Sequence, residues 1–206
     1  MDESWLFRAL EESRARGFLG PGAIEPQIEH ARGFARCWED ISSLPPANLI
    51  DLGSGGGLPG LVLAELWGCR TVLVDSMVKR MNFLREVLNW PGAPHDVEVI
   101  TTRVEALARD PAMESSFSLV TARSFGPPAV VAECATRFLV LGGLLIVSEP
   151  PDDDAQRWQS KSLMTMGFVD NGRIRHGAAF RVLTKISATP DDLPREIGIP
   201  AKRPLF

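Results

Sequence analysis

Two aspartates and the glycines between them are the residues of this chain whose types and spacing most clearly indicate chemistry. In the segment LIDLGSGGGLPG, Asp51 ends an apolar run, and the stretch from Gly55 to Gly60 satisfies G-x-G-x-x-G. Asp75 ends the next apolar run, 22 positions beyond Gly53. A glycine-rich turn between a strand and a helix allows a ligand to lie close to the backbone, as in nucleotide-binding α/β proteins.

The two carboxylates favour one class of ligand for this turn. A P-loop is excluded, because no Lys-Ser/Thr pair follows the glycines. Asp51 would repel a pyrophosphate, but it could pair with the ammonium group of S-adenosylmethionine, which carries no phosphate. Asp75 could accept both ribose hydroxyls, cap the next helix, or do both. We therefore favour S-adenosylmethionine. A dinucleotide and a tight turn that merely requires glycine are the alternatives.

These residues must be positioned by alternating strands and helices. Five short apolar runs predict strands, and the segments between them have helical periodicity. Such alternation predicts a parallel sheet covered on both faces. A polar helix is expected over 153–166, followed by an antiparallel hairpin made of FVDNGRIRH and AAFRVLTKIS. The predicted strands are NLIDL, TVLVD, VEVIT, SLVTA and GLLIVS, and the predicted helices between them are GLVLAELW, MVKRMNFLREVLNW, VEALARD and PAVVAECATRFL.

The first part of the chain has a different pattern. DESWLFRALEESRAR has apolar residues at helical spacing, GFLGPG interrupts it, and a second helix is expected from about Pro26 to Ser42. We therefore predict an N-terminal helical extension over 1–45 and one α/β domain over 46–206.

Composition narrows the class of protein. The chain has 206 residues, of which 45% are hydrophobic, and a formal net charge of −4. No apolar stretch is long enough for a membrane span, and the N-terminus carries acids rather than the basic residues of a signal peptide. Cys37, Cys69 and Cys134 are widely spaced, which predicts reduced thiols and neither disulfides nor a metal site. A cytoplasmic protein is expected, and contact with RNA would have to use local basic patches.

Several further segments carry a resemblance to a known family. DLGSGGGLPG, LVDSMVKRMNFLREV, TRVEAL, ARSFGP and PREIGIPAKRPL occur in the order found in the bacterial small-subunit (16S) rRNA guanine-N7 methyltransferases. The chain resembles this family from about His30 onward. The resemblance implies a class I S-adenosylmethionine-dependent methyltransferase fold, which is Rossmann-like: an α/β protein whose mostly parallel seven-stranded sheet has helices on both faces.

The resemblance also implies roles for individual residues. Arg123, in ARSF, is expected near the methyl-transfer site, while His30 corresponds to a histidine of the N-terminal region. Together with the two aspartates and the glycine loop, the expected cofactor-binding residues are Asp51, Gly53, Gly55, Gly57, Leu58, Asp75, Val104, Glu105 and Arg123. The expected RNA-binding residues are Lys79, Arg80, Arg195, Lys202 and Arg203.

The reaction implied by the resemblance needs little acid–base machinery. Guanine N7 carries a lone pair and no proton, so its methylation is an in-line displacement that requires no general base. The expected partner is small-subunit rRNA and the expected state is a monomer. SEPP, from Ser148, stands where the family usually has Lys-Gly, and Asp152, Asp153 and Asp154 follow it. These acids leave two alternatives: a diverged methyltransferase acting on a small molecule or a protein, and a non-catalytic S-adenosylmethionine-binding module.

Overall fold

A seven-stranded sheet in the order β3-β2-β1-β4-β5-β7-β6 organises the structure. The computed structural model describes residues 4–152 and 157–206. β1 to β5 pair in parallel, and β7 runs antiparallel to both of its neighbours, β5 and β6. The predicted fold class, including the closing hairpin, is confirmed. The strands are β1 (Asn48–Leu52), β2 (Arg70–Asp75), β3 (Val97–Thr101), β4 (Phe117–Ala122), β5 (Leu139–Glu149), β6 (Phe168–His176) and β7 (Ala178–Lys185).

The helices connect these strands and cover the sheet. The segment GLVLAELW forms a helix with a largely buried first half, and it ends at Gly68 in the left-handed conformation that favours glycine. Within the described ranges, no helix is long and apolar enough to cross a membrane. The helices are α1 (Trp5–Ala15), α2 (Ile24–Glu39), α3 (Gly60–Trp67), α4 (Val78–Val87), α5 (Val104–Leu107), α6 (Pro128–Ala135), α7 (Ser160–Thr165) and α8 (Ile199–Lys202).

Two expected helices differ from the structure. The helix expected over 153–166 is confirmed only for α7, which begins at Ser160, because 158–159 are not helical; residues 153–156 lie outside the described residues. The helical pattern expected to reach Leu139 ends earlier. A 3-10 turn follows α6, and Leu139 already begins β5 because it pairs with Phe117 across a β-bulge.

The N-terminal helices pack directly on the sheet and its crossover helices. Trp5 and Leu10 of α1 belong to one buried cluster with Leu73 of β2 and Leu84 of α4. The Trp5 indole Nε1 donates to the carbonyl of Val87 at 2.7 Å, which ties α1 to the end of α4. The helices therefore share a core with the α/β part of the chain. The division into two units at residue 45 stays a prediction.

The strand order reverses between β1 and β4. β1 continues to β2 on one side through α3, while the chain returns to the other side of β1 only with β4. In open α/β sheets, ligands bind beyond the carboxyl ends of the strands at such a switch point. The carboxyl ends of β1, β2 and β4 carry Asp51, Asp75 and Arg123, so the fold brings the predicted site to this edge.

Candidate functional site

The glycine loop between β1 and α3 holds its shape through its own backbone. Gly53, Gly55 and Gly57 have φ values of +69°, +54° and +108°, a region that side chains with a Cβ rarely occupy. At Gly53 a Cβ would also come within 2.8 Å of the Phe125 ring. The loop thus requires glycine for its conformation, and at Gly53 also for close approach to the loop after β4.

The backbone N–H groups of this loop distinguish between the two cofactor classes. In a dinucleotide site, such groups point towards a pyrophosphate. Here Gly60, at the start of α3, donates to the Asp51 carboxylate at 3.2 Å, so a protein carboxylate takes the place of an anionic ligand. The loop N–H groups that already donate within the protein are those of Gly53, Ser54, Gly55, Gly57 and Gly60. This arrangement suits a cofactor without phosphate.

Asp51 lies beneath the loop and is fully buried. Its carboxylate accepts hydrogen bonds from Thr121 Oγ1 at 2.8 Å and from Gly60 N. Burial raises the pKa of Asp51 to about 6, although these hydrogen bonds and the nearby Arg123 act in the opposite direction. Asp51 is not among the residues that line the cavity described next. Its geometry is that of a support for the loop, and direct contact with the cofactor stays a prediction.

Asp75, at the end of β2, links the loop to α4. One carboxylate oxygen accepts from Gly55 N at 3.1 Å and the other from Met77 N at 2.8 Å. Each oxygen retains a further lone pair for a ligand. Arg80 Nη1 lies 3.8 Å from the same carboxylate. The expected N-cap role is wrong, because the N-cap of α4 is Met77 and no side chain caps it; Asp75 instead closes the turn before the helix and keeps acceptor capacity for a ligand.

A cavity of about 380 Å³ opens above these strand ends, within the size range of small-molecule sites. It brings together four of the predicted cofactor residues, Gly53, Asp75, Val104 and Glu105. A carboxylate at one place and apolar side chains at another fit a ribose and an adenine. The other lining residues are Ser76, Met77, Arg80, Thr102, Arg103, Ser124, Phe125, Gly126, Pro127, Val130, Cys134 and Ala201.

Glu105 joins this cavity to the C-terminal segment. The residue is 3% exposed, and its carboxylate accepts from Arg103 Nη2 at 2.9 Å and from Gly198 N at 3.1 Å. Burial raises the pKa of Glu105, but these hydrogen bonds outweigh it and leave the pKa below its usual value. Ala201 of α8 lines the cavity. Sequence reasoning missed this part of the wall, because Gly198 and Glu105 are 93 positions apart.

Leu58 lies elsewhere in the loop. Its side chain is buried in the cluster formed by α1, α3 and α4, and it does not line the cavity. Gly55 and Gly57 are also not among the residues that line the cavity. Both shape the loop that presents Gly53, and their own contact with the cofactor stays a prediction.

Arg123 follows β4, is half-buried, and is not among the residues that line the cavity, so its predicted contact with the cofactor stays a prediction. Burial lowers its pKa, and the nearby Asp51 counteracts this shift. His30 of α2 lies close to Arg123 and has its Nε2 2.8 Å from the Ser148 hydroxyl. Burial and the positive charge of Arg123 lower the pKa of His30 to about 4, so this histidine is neutral at pH 7.

A second cavity, of about 280 Å³, adjoins the first. The two cavities share Ser124, Phe125 and Gly126 as lining residues, and Ser124 has a positive φ of 55°. The chain therefore turns sharply at the boundary between them. The rest of the second cavity is lined by Pro128, Val147, Ser148, Glu149, Pro150, Arg157 and Trp158.

The predicted RNA-binding residues have different environments. Lys79, Lys202 and Arg203 are exposed, whereas Arg80 lines the first cavity. Arg195 donates from its backbone N, Nε and Nη2 to the carboxylate of Glu133, whose side chain is fully buried. In the described part of the chain, no group of three or more His, Cys, Asp or Glu side chains could hold a metal ion.

Comparisons with known proteins agree with this geometry. The family model of rRNA small subunit methyltransferase G matches residues 32–171. A ribosomal RNA small subunit methyltransferase G from Chloroflexus aggregans is 35% identical over 180 residues, which is 84% of this chain and 74% of that protein. Among solved structures, a putative O-methyltransferase from Klebsiella pneumoniae has a TM-score of 0.61 at 13% identity, covering 91% of this chain and 92% of its own. A SAM-dependent methyltransferase from Aquifex aeolicus has a TM-score of 0.56 at 15% identity, covering 75% and 89% respectively.

Proposed function

The chain belongs to the rRNA small subunit methyltransferase G family, and from this premise we propose that it methylates N7 of a guanine in small-subunit rRNA. It is an S-adenosylmethionine-dependent methyltransferase, as its family, its fold and the phosphate-free character of its loop agree. We propose which atom accepts the methyl group, what each residue does, and that the rRNA is recognised within the small subunit.

This proposal rests on two adjoining cavities, one suited to the cofactor and the other to the acceptor base. The first cavity has the carboxylate of Asp75 and the apolar wall that the cofactor requires, and the second adjoins it across Ser124–Gly126. A planar base that enters from the second cavity would therefore meet the cofactor at the edge that Ser124, Phe125 and Gly126 line in both cavities. Holding two reactants in line can supply a large part of the acceleration of a displacement reaction.

The chemistry requires positioning rather than proton transfer. When bound, S-adenosylmethionine supplies a methyl group activated by its sulfonium. Guanine N7 presents a lone pair and releases no proton, so no side chain has to act as a general base. Arg123, half-buried directly before the Ser124–Gly126 loop, would orient the acceptor nucleotide, and the neutral His30 would support the wall through Ser148.

Exposed cations supply the contact with RNA in this proposal. Lys79, Lys202 and Arg203 are free to approach phosphates, whereas Arg195 is already engaged with Glu133. Such contacts position an RNA backbone without reading its sequence. We further propose that the protein acts as a monomer, and that it acts in the cytoplasm, as its widely spaced cysteines predict.

The test detects the methylated rRNA product rather than the binding of rRNA. The purified protein is incubated with radiolabelled S-adenosylmethionine and small ribosomal subunits from a strain that lacks the family enzyme. The rRNA is then reduced and treated with aniline, which cleaves at N7-methylguanine. We expect one cleavage site. Label in the rRNA without aniline cleavage would contradict N7 as the acceptor.

One observation favours a second candidate, a diverged methyltransferase with a non-RNA substrate. Glu149 lines the second cavity and Asp152 is exposed beside it, where a phosphate backbone would approach. That candidate predicts no label in rRNA and a weak dependence of substrate binding on salt, whereas binding to RNA falls steeply with salt.

A further inference from the structure

The second cavity contains a carboxylate that the proposed reaction does not yet use. Glu149 is the last residue of β5, and its side chain is only 7% exposed. It lines the cavity together with Arg157 and Trp158. A carboxylate that is nearly removed from water is costly unless its oxygens have partners. The partners of Glu149 therefore indicate what the cavity accepts.

Among the described residues, the partner of Glu149 is Arg157, and it leaves the carboxylate incompletely satisfied. Arg157 Nη1 lies 3.4 Å from one oxygen and 3.3 Å from the other. Charge-assisted hydrogen bonds of this kind are normally about 2.7–2.9 Å long. Each oxygen therefore keeps acceptor capacity. The indole Nε1 of Trp158 is also buried and has no hydrogen-bond partner within the described residues. The cavity wall thus contains a carboxylate with acceptor capacity for a polar ligand.

The carboxylate is attached to a well-held backbone. Glu149 pairs with Ala179 in the ladder between β5 and β7. Beyond it, Arg173 donates to the carbonyls of Pro150 and Pro151 at 2.7 and 2.8 Å, and Arg175 donates to Pro151 at 3.0 Å. Two arginines therefore fix the SEPP segment. Because the segment is fixed from outside the cavity, Glu149 is positioned before any ligand binds.

We propose that Glu149 is a specificity-determining residue that reads the acceptor base by accepting hydrogen bonds from N1–H and the 2-amino group of guanine. This inference rests on the proposed function. In guanine, N7 and the edge that carries N1 and N2 lie on opposite sides of the ring system. If N7 faces the boundary at Ser124–Gly126, the far edge faces the interior of the second cavity, which Glu149 lines.

The same carboxylate would reject adenine. Adenine has an acceptor at N1 and lacks the 2-amino group. The oxygens of Glu149 would therefore receive no hydrogen bond and would face the lone pair of adenine N1. Sites built around a buried hydrogen-bonding group discriminate strongly against ligands that cannot satisfy it.

The test varies the base and the side chain together. After the methylated guanine has been mapped by aniline cleavage, small-subunit rRNA is assembled by ligation with either guanine or inosine at that position. Inosine retains N7 and N1–H but lacks the 2-amino group. We expect wild-type kcat/KM to fall about 10- to 100-fold on the inosine RNA. Glu149→Gln should lose a similar factor on the guanine RNA, with no further loss on the inosine RNA.

Matched variants and the cofactor separate this role from a structural one. Glu114→Gln removes a carboxylate that also pairs with an arginine, at 2.8 Å from Arg137, but lines neither cavity. It should retain both the wild-type rate and the inosine penalty. Arg157→Gln removes the partner of Glu149 and should also retain the inosine penalty. The affinity for S-adenosylmethionine, measured by calorimetry, should be unchanged in Glu149→Gln.

Three outcomes would overturn the inference. They are equal wild-type rates on guanine and inosine RNA, a wild-type rate for Glu149→Gln on guanine RNA, and an undiminished inosine penalty in Glu149→Gln. The first needs no variant, so it is informative even if Glu149→Gln fails to fold. If wild-type protein produces no N7-methylguanine in any RNA, the proposed function fails and the inference falls with it.

Discussion

Replacing Asp75 by alanine should weaken cofactor binding without unfolding the protein. The ribose hydroxyls of S-adenosylmethionine would donate to the remaining lone pairs of the Asp75 carboxylate. The side chain of Asp75 is only 10% exposed. Hydrogen bonds to a charged partner contribute about 1.5–3 kcal/mol, which corresponds to roughly a 10- to 100-fold rise in Kd. The same change removes the acceptor of Gly55 N and Met77 N, at a cost of about 0.5–1.5 kcal/mol in stability for each bond.

The assay is calorimetric titration with S-adenosylmethionine, combined with urea unfolding of each variant. Asp110→Ala is the matched control. Asp110 Oδ1 accepts from Ala112 N at 2.9 Å, which is the same kind of bond that Asp75 accepts from Met77 N. Asp110 lies in an exposed turn and lines neither cavity. The control should bind the cofactor normally. If Asp75→Ala binds S-adenosylmethionine within twofold of wild type, Asp75 does not contact the ribose and its role is confined to the loop.

Three further predictions concern other charged groups. Arg123→Ala should lower methyl transfer about 100-fold at saturating cofactor because the acceptor is misplaced, and an unchanged kcat would remove Arg123 from the reacting centre. Burial lowers the pKa of Lys185 from 10.5 to about 8. Between pH 8 and pH 10.5, Lys185 is therefore protonated in the unfolded chain but not in the folded chain. The contribution of Lys185 to the free energy of unfolding should therefore rise by roughly 2–3 kcal/mol from pH 8 to 10.5. Urea titrations at several pH values measure it as the difference between wild type and Lys185→Met, because the buried Cys37 and Cys134, whose pKa values are raised by burial, lower the stability of both proteins over the same range. Arg195→Ala should destabilise the protein by about 3 kcal/mol, because Glu133 is left buried without its main partner, and Glu133→Gln in the same chain should recover part of the loss.

β1 and β2 could be read from the sequence because they are largely buried in a parallel sheet, whereas β3 is an edge strand without a buried residue. NLIDL coincides with β1, and the runs that predicted β2 and β3 coincide with those strands to within one residue. Continuous apolar runs bounded by polar residues are typical of such strands. The start of β5 was missed, because Leu139 enters the sheet through a bulge opposite Phe117, and a bulge depends on the partner strand rather than on local pattern.

The site was predictable where its residues terminate strands, and not where distant segments meet. Asp75 was found because it ends an apolar run at a fixed spacing from the glycines. Arg195 was read as part of a basic patch, yet the structure ties it to Glu133, which lies 62 positions away. A charge in a sequence does not reveal its partner. For the same reason, the bond from Gly198 to Glu105 had no local signal.

The contact between α1 and the glycine loop has a thermodynamic consequence. The Ser13 hydroxyl of α1 donates to the carbonyl of Gly56 at 2.8 Å, within the loop that presents Gly53 to the cofactor cavity. Docking of α1 and binding in that cavity therefore share one structural element, and any free-energy coupling between them must be reciprocal. If cofactor binding stabilises the docked α1 by a given free energy, then docking of α1 strengthens cofactor binding by the same free energy.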